Sequence, residues 1–325
     1  MPLPEASALS PPAVSPPAGP PPAVSVVLPA YNRAGSILAA VHSVLGQTFR
    51  DFELLVVDDG SSDGTIAALA EVSDPRVRLL ANPRNMGAGA ARNTGVREAR
   101  APWVAFQDSD DEWLPQKLAK QMARLDATGN RYVAAYCGMA VVGGLDNPPL
   151  GDSSRRTSLR YIPDSQLSAV EGDIRLALLH ESLVSTQTLI ARKDSLLAIG
   201  GFDESLPALE DWDCAIRLAA LGHFAFVDEP LVMQHFSANS ITRHRDRRLV
   251  ARQKIVDKNL TALKEEPALL AQHYRAIAGE QRRLGLMTEA CASLAQARGM
   301  TPLNPILLAL SIHLWAKRLG LRITS

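Results

Sequence analysis

Residues Asp108–Asp111 read DSDD, three carboxylates in four positions at the end of the apolar run Pro102–Phe106. Acids so crowded repel one another unless something positive intervenes, and a hard divalent cation with oxygen ligands, itself bound to phosphates, is the usual solution. A solvated acidic turn capping a helix at Trp113–Leu125 would use the same residues. A second acidic strand end, Asp58–Asp59 in FELLVVDDG, favours the cation. A carboxylate at such an edge can accept from a base N–H or a ribose hydroxyl. No GxxxxGK[ST] cradle is present, so phosphates would be held by metal and scattered donors. Gly87–Arg92 (GAGAAR) stands where a dinucleotide fingerprint would, with Asp108 downstream. Arg92 replaces its third glycine, however, and is read instead as a phosphate-facing cation.

These residues need a scaffold that brings strand ends together. VSVVLP (Val24–Pro29) and FELLVVD (Phe52–Asp58) are apolar, β-branched runs ended by Pro or acids, the signature of strands buried on both faces. Helical spacing fills Gly35–Gly46, the segment after Ser61, and the Ala/Gly-rich Met86–Ala99, with a short strand at Val77–Leu80. Strand–helix alternation at this pitch predicts a parallel sheet with right-handed crossovers, whose ligands bind beyond the carboxyl ends of the strands. Tyr31–Asn32, Asp58–Asp59 and Asp108–Asp111 all fall at those ends. Gly143–Ser165 reads as a long loop. Helical pieces at Ile174–His180 and Ser195–Ile199 flank a strand at Thr186–Ala191, and an amphipathic helix runs from about Asp211 to Leu221. Phe224–Val227 and Leu231–His235 read as two further strands, and the chain turns helical from about Arg245.

Composition narrows the classes. Charge is balanced, 34 Lys+Arg against 34 Asp+Glu, which argues against a nucleic-acid partner. Three dispersed cysteines (Cys137, Cys214, Cys291) offer neither a zinc ribbon nor a disulfide framework. No uncharged apolar run is long enough to span a bilayer. The expected address is the cytoplasm, with the inner membrane face as the alternative. Nine of the 22 prolines lie in Met1–Pro22, which reads as a solvated leader.

With those features in place, the blocks VSVVLPAYNRAGSILAAVHSVLGQTF, LLVVDDGSSDGT, NMGAGAARNTGV, WVAFQDSDDEW, GGFDESLPALEDWDCAIRLA and HFSANS resemble the family 2 glycosyltransferases of GT-A fold, in family order from about Val24 to Arg243. The resemblance implies an α/β GT-A fold, Rossmann-like with a mostly parallel sheet flanked by helices. It also implies an inverting enzyme that uses a nucleotide-diphosphate sugar and Mg²⁺ or Mn²⁺. Pro29, Tyr31 and Asn32 match the segment lining the base, and Asp59, with Asp58, the acid contacting base or ribose. Asp108 and Asp110 match the DxD motif, Asp110 as the more direct metal ligand. Glu210–Asp211 match the ED motif, with Asp211 as the base. His235 resembles a late histidine contacting metal or diphosphate; a satisfied structural histidine is the alternative.

The expected organisation is a leader (1–22), a GT-A domain (23–245) and a helical region (246–325) containing one tetratricopeptide-like helix pair built from Tyr274, Ala278, Gly285, Ala290, Leu294, Ala297 and Pro302. The acceptor would be a saccharide or lipid-linked saccharide in cell-surface polysaccharide, lipopolysaccharide or glycolipid synthesis. Leu303–Leu321 could lie on a membrane surface, although a packed helix is the preferred reading. A helix start at Asp211 would lower its pKa, so proton transfer is expected late in the step. Selectivity would reside in loops such as Leu145–Ser165. The alternative to an enzyme is an inactive GT-A-like binding module acting through the helical tail.

Overall fold

The computed structural model describes residues 19–142, 159–163, 169–235 and 244–318. Most of the leader, most of the Leu145–Ser165 segment and the HFSANS block beyond His235 lie outside the described residues. In chain order the elements are β1 (Val24–Ala30), α1 (Ile37–Leu45), β2 (Phe52–Asp58), α2 (Thr65–Leu69), β3 (Val77–Ala81), α3 (Ala88–Glu98) and β4 (Trp103–Phe106). Then come β5 (Glu112–Trp113), α4 (Lys117–Asp126), β6 (Tyr132–Val142), β7 (Leu159–Ile162), α5 (Arg175–His180), β8 (Ile190–Arg192), α6 (Lys193–Ala198), α7 (Glu210–Ala219) and β9 (His223–His235). The helical region holds α8 (Arg245–Lys258), α9 (Leu260–Glu265), α10 (Pro267–Arg283), α11 (Met287–Met300) and α12 (Pro305–Arg318).

One mixed sheet runs β3-β2-β1-β4-β8-β6-β9-β5, with β7 beside β6. Its first half is parallel, as the alternation predicts: β1 pairs in parallel with β2 and β4, and β2 with β3. The period-two pleat splits each strand between two cores. Val24, Val26 and Leu28 face α1 and α4, whereas Val27 faces α3. A Cβ at Gly95 would come within 2.3 Å of the Val27 side chain, so the small residues of α3 let that helix lie directly on β1.

The second half departs from the sequence reading. β8 is antiparallel to β4 and β6, and β5 is antiparallel to β9. Thr186–Ala191 is not one strand: Thr186–Thr188 is a 3₁₀ turn, closed by the Thr188 hydroxyl and N–H donating to the Ser185 carbonyl, and the strand begins at Ile190. Ser/Thr side chains compete with ladder bonding in just this way. Trp113–Leu125 is likewise not one helix. Glu112 and Trp113 pair with Met233 and Val232, and α4 starts only after Pro115, which disfavours helix in the residue before it. The acids at 108–111 therefore do not cap a helix. β6 was not anticipated, and β7 lies inside the predicted long loop. The two strands expected at Phe224–Val227 and Leu231–His235 are one strand, β9, whose register against β6 slips near Cys137–Met139.

In the helical region, α10 and α11 form a hairpin turning at Gly285 (φ 80°), with Ala278, Ala290, Leu294 and Ala297 in its core. Leu307 of α12 joins that core, while Leu303, Ile306 and Leu308 are exposed. Among the described residues no helix is long and apolar enough to cross a membrane. The region docks onto α5, α7 and the loop that leads into α7. Lys258 Nζ bonds Asp213 at 2.7 Å and also pairs with Asp203, Ala251 packs against Leu206 and Ala208, and His273 Nε2 lies 2.7 Å from the Leu179 carbonyl.

Candidate active site

The carboxyl ends of β1 and β2 are laced together by backbone and short polar side chains. Asp59 N–H donates to the Ala30 carbonyl, Asn32 N–H to Ser61 Oγ, and Ser62 N–H to Asn32 Oδ1. Asn32 holds a left-handed φ of 52°, which Asn tolerates better than most residues. This turn presents the Tyr31 ring to solvent at 42% exposure, whereas Pro29 stays buried in β1.

Both acids at the end of β2 are inward-facing. Asp58 accepts from Ser61 N–H. Asp59 accepts from Asn82 Nδ2 (2.7 Å), Met86 N–H (3.0 Å) and Gly87 N–H (2.7 Å). A carboxylate has about four acceptor sites, so its capacity is nearly filled by the 82–87 segment. Gly60 is required here: at φ 77° a Cβ would lie 2.8 Å from the Arg84 backbone.

Asp108–Asp111 differ in kind. Asp108 Oδ1 accepts from Arg92 Nη2 at 2.7 Å, and Asp110 lies 3.7 Å from Arg33 Nη2. Burial, then the Asp108 charge, raises the Asp110 pKa against the opposing pull of Arg33 and His235. Asp111 is buried and also raised, by burial and by both neighbouring acids, although His235 N–H and the Gln187 amide donate to it. Pairing of β5 with β9 is what brings His235 here; its exposed ring sits 3.4 Å from Glu112.

Arg92 joins this strand end to the ED motif. Its Nη1 donates to Glu210 Oε1 at 2.8 Å while Nη2 holds Asp108. The guanidinium is 5% exposed and packs over Phe202; burial opposes its charge, but the two acids more than offset it and raise its pKa. It does not face solvent as a phosphate-facing cation would. Sequence offered no sign of this, since the partners are 118 and 16 residues away.

Asp211 begins α7 beside Leu209, itself at φ 58°, and accepts from Trp212 N–H at 2.8 Å. The residue is half-buried. Burial first and Glu210 second raise its pKa, with Asp108 adding to the effect and Trp212 N–H and Arg92 opposing it. The lowering expected from a helix start is thus reversed: desolvation and like charge outweigh the helix end. Arg33, Gln187 and Asn93 are contributors that the sequence reading missed. Asn93 Nδ2 and Oδ1 clamp the Phe202 backbone, fixing the loop before α7 onto α3. Trp113 and Trp212 are buried packing residues, as expected.

Among the described residues no three-ligand cage of His, Cys, Asp or Glu is preassembled. Two mutually repelling carboxylates suit a hard cation that takes its remaining ligands from water and substrate phosphates.

A mixed sheet with acids gathered at its carboxyl edge and a helix with acids in its first turn alongside defines a GT-A fold. A solved structure supports the assignment: S. aureus TarS 1–349 in complex with UDP-GlcNAc superposes with a TM-score of 0.67, covering 93% of both chains at 19% identity. At the level of sequence, residues 25–163 match Glycosyl transferase family 2. The succinoglycan biosynthesis protein ExoO of Rhizobium meliloti is 45% identical over 121 residues, 37% of this chain and 34% of ExoO. The Escherichia coli UDP-Glc:alpha-D-GlcNAc-diphosphoundecaprenol beta-1,3-glucosyltransferase WfgD is 45% identical over 102 residues, 31% of this chain and 40% of WfgD. The chain thus aligns with well under half the length of either relative.

Proposed function

We propose that the protein is a metal-dependent inverting glycosyltransferase that moves a sugar from a nucleotide-diphosphate donor to a hydroxyl of a saccharide or lipid-linked saccharide, in the synthesis of a cell-surface polymer or glycolipid. The observation that carries this reading is the Arg92 bridge, which holds the DxD acid Asp108 against Glu210–Asp211. The nucleotide lies along the ends of β1 and β2, with Tyr31 offering a stacking face. Asp59 acts by fixing the 82–87 backbone around it rather than by spending an oxygen on the base. Asp108 and Asp110, with His235 close by, are the residues that would hold Mg²⁺ or Mn²⁺. When bound, the ion supplies charge stabilisation to the departing diphosphate.

The remaining chemistry belongs to Asp211. It takes the proton of the acceptor hydroxyl as that oxygen forms its bond to C1, while the C1–O bond to the diphosphate breaks and its electron pair leaves with the nucleotide. Its raised pKa strengthens it as a base relative to an ordinary carboxylate, so proton transfer need not be late. Arg92 offsets part of the local negative charge and keeps Glu210 turned aside. The names of WfgD and ExoO support a diphospholipid-linked or polysaccharide acceptor.

The test is a panel of nucleotide sugars assayed for release of nucleoside diphosphate, with and without Mn²⁺. Release from at least one donor that chelator abolishes is expected. Turnover untouched by chelator would remove the role given to Asp108 and Asp110.

A further inference from the structure

Away from the strand ends, a recess of about 290 Å³ opens between α8, α10 and α12. Four arginines line it. Arg248 and Arg252 stand one turn apart on α8, and Arg275 and Arg283 two turns apart on α10, so each pair shares a face. Gly279, midway between the latter two, leaves the floor bare: a Cβ there would come no closer to another side chain than 4.0 Å. Leu209 and Leu310 supply apolar walls.

The charge is poorly answered. Glu280 is the one acid in the lining; Arg283 binds it at 2.6 Å, and Arg245 reaches its other oxygen at 3.7 Å. Arg252 rests over the Trp212 ring and lies 3.4 Å from His273 Nδ1. Arg248 and Arg275 have no ion-pair partner among the described residues. Burial and the neighbouring Arg248 charge lower the Arg252 pKa, as expected of cations crowded without a counter-anion. Because the chain as a whole is neutral, this excess is local.

Phosphate chemistry fits such a recess. A phosphate monoester carries about −1.5 to −2 charge at neutral pH, and its oxygens match guanidinium forks in pairs. A single carboxylate would leave most of the excess uncompensated. The wall residue Leu209 immediately precedes Glu210–Asp211, so the recess and the base are separated by roughly 7 Å of backbone. We propose that this recess binds a phosphate or diphosphate group carried by the acceptor, anchoring it while its sugar hydroxyl reaches Asp211. The anion site stands on the arginines alone; its assignment to the acceptor rests on the transferase reading above.

The experiment is calorimetric titration of the full chain in chelator with inorganic pyrophosphate, followed by geranyl diphosphate. It compares wild type with the double variant Arg248→Gln/Arg275→Gln. Both side chains are exposed and unpaired, so the variant should melt with the wild type. Wild type should bind pyrophosphate, more weakly as salt rises, and the variant should bind at least about tenfold more weakly. Absence of binding to wild type, or equal affinity in the two proteins, would overturn the site. Tighter binding of geranyl diphosphate than of pyrophosphate, lost in the variant, supports an acceptor-borne group. Equal or weaker binding leaves a free-anion site and overturns the acceptor assignment. No turnover is required, so this result is independent of whether the protein transfers sugar.

Discussion

The two acidic strand ends, Asp58–Asp59 and Asp108–Asp111, look alike in sequence and behave oppositely in the fold. At the end of β2 the acids are met by the protein: backbone N–H groups of Ser61, Met86 and Gly87 and the Asn82 amide supply the hydrogen bonds. Beyond β4 the donors are unevenly shared: Arg92 meets Asp108, and His235 N–H and the Gln187 amide meet Asp111, whereas Asp110 has Arg33 at 3.7 Å; burial and then the Asp108 charge raise both Asp110 and Asp111. A carboxylate satisfied by its own chain organises a loop. One left in excess is stabilised by a cation from outside. The acids of greatest structural value and those of greatest chemical value are therefore different residues, and substitution should separate them.

The largest effect should come from Asp110→Asn. Nucleoside diphosphate release is expected to fall by about 10³-fold or more, because the charge proposed to hold the ion is lost. Stability should not fall with it. A carboxyl whose folded pKa is raised contributes most stability below its ordinary pKa and loses it as pH rises through the folded value. At pH 7–8 Asp110 is accordingly a burden, and the variant should melt at or above the wild-type temperature. A large drop in melting temperature would place Asp110 with Asp59 and collapse the distinction.

Asp211 extends the contrast to a third acid, raised by burial and Glu210 and proposed above as the base. A base works deprotonated, so kcat/KM should climb with pH through a limb lying above the ordinary carboxylate range. Asp211→Asn should lower transfer by about 10²–10⁴-fold and abolish that limb while nucleotide still binds. An unchanged profile in the variant would remove the base assignment. Asp59→Ala is expected to be the mirror case. It strands Met86 and Gly87 N–H groups, costs about 2–4 kcal/mol in chemical denaturation, and reduces activity only as far as the 82–87 segment loosens.

Periodicity made half of this legible. The continuous apolar runs of β1 and β2 announced strands covered on both faces, and the positions of Tyr31, Asp58 and Asp108 at their ends followed from the alternation. β6 escaped because its run of Ala, Cys, Gly and Met carries little alternation, and β5 because two residues show no period at all. The difference between the two acidic ends was hidden for another reason. It depends on what faces each carboxyl across the fold: Asn82 and Met86 from one connection, Gln187 from another, and Arg92 reaching Glu210 across 118 residues. Local sequence records the charge but not the donors that answer it. The arginines of α8 and α10 were invisible likewise, since only the docking of the two helices converts four scattered charges into one site.

The finest test concerns Arg33, which pairs with Asp110. Arg33 Nη2 stands 3.7 Å from Asp110, and its Nε donates to Ser109 Oγ at 3.2 Å, with both charged side chains roughly a quarter exposed. Such a pair is worth about 0.5–1 kcal/mol after solvent screening. Arg33 is then a weak placeholder for the ion. Arg33→Gln should tighten Mn²⁺ binding about 2–5-fold when nucleotide is absent, by calorimetry, since the ion no longer competes with a resident charge. With a nucleoside diphosphate present the sign should weaken or reverse, because the guanidinium freed from Asp110 can turn to the phosphates and its loss then costs the complex a donor. Weaker Mn²⁺ binding by the variant in the absence of nucleotide would mean that Asp110 is already answered from within, as Asp59 is, and that the two strand ends differ less than their surroundings indicate.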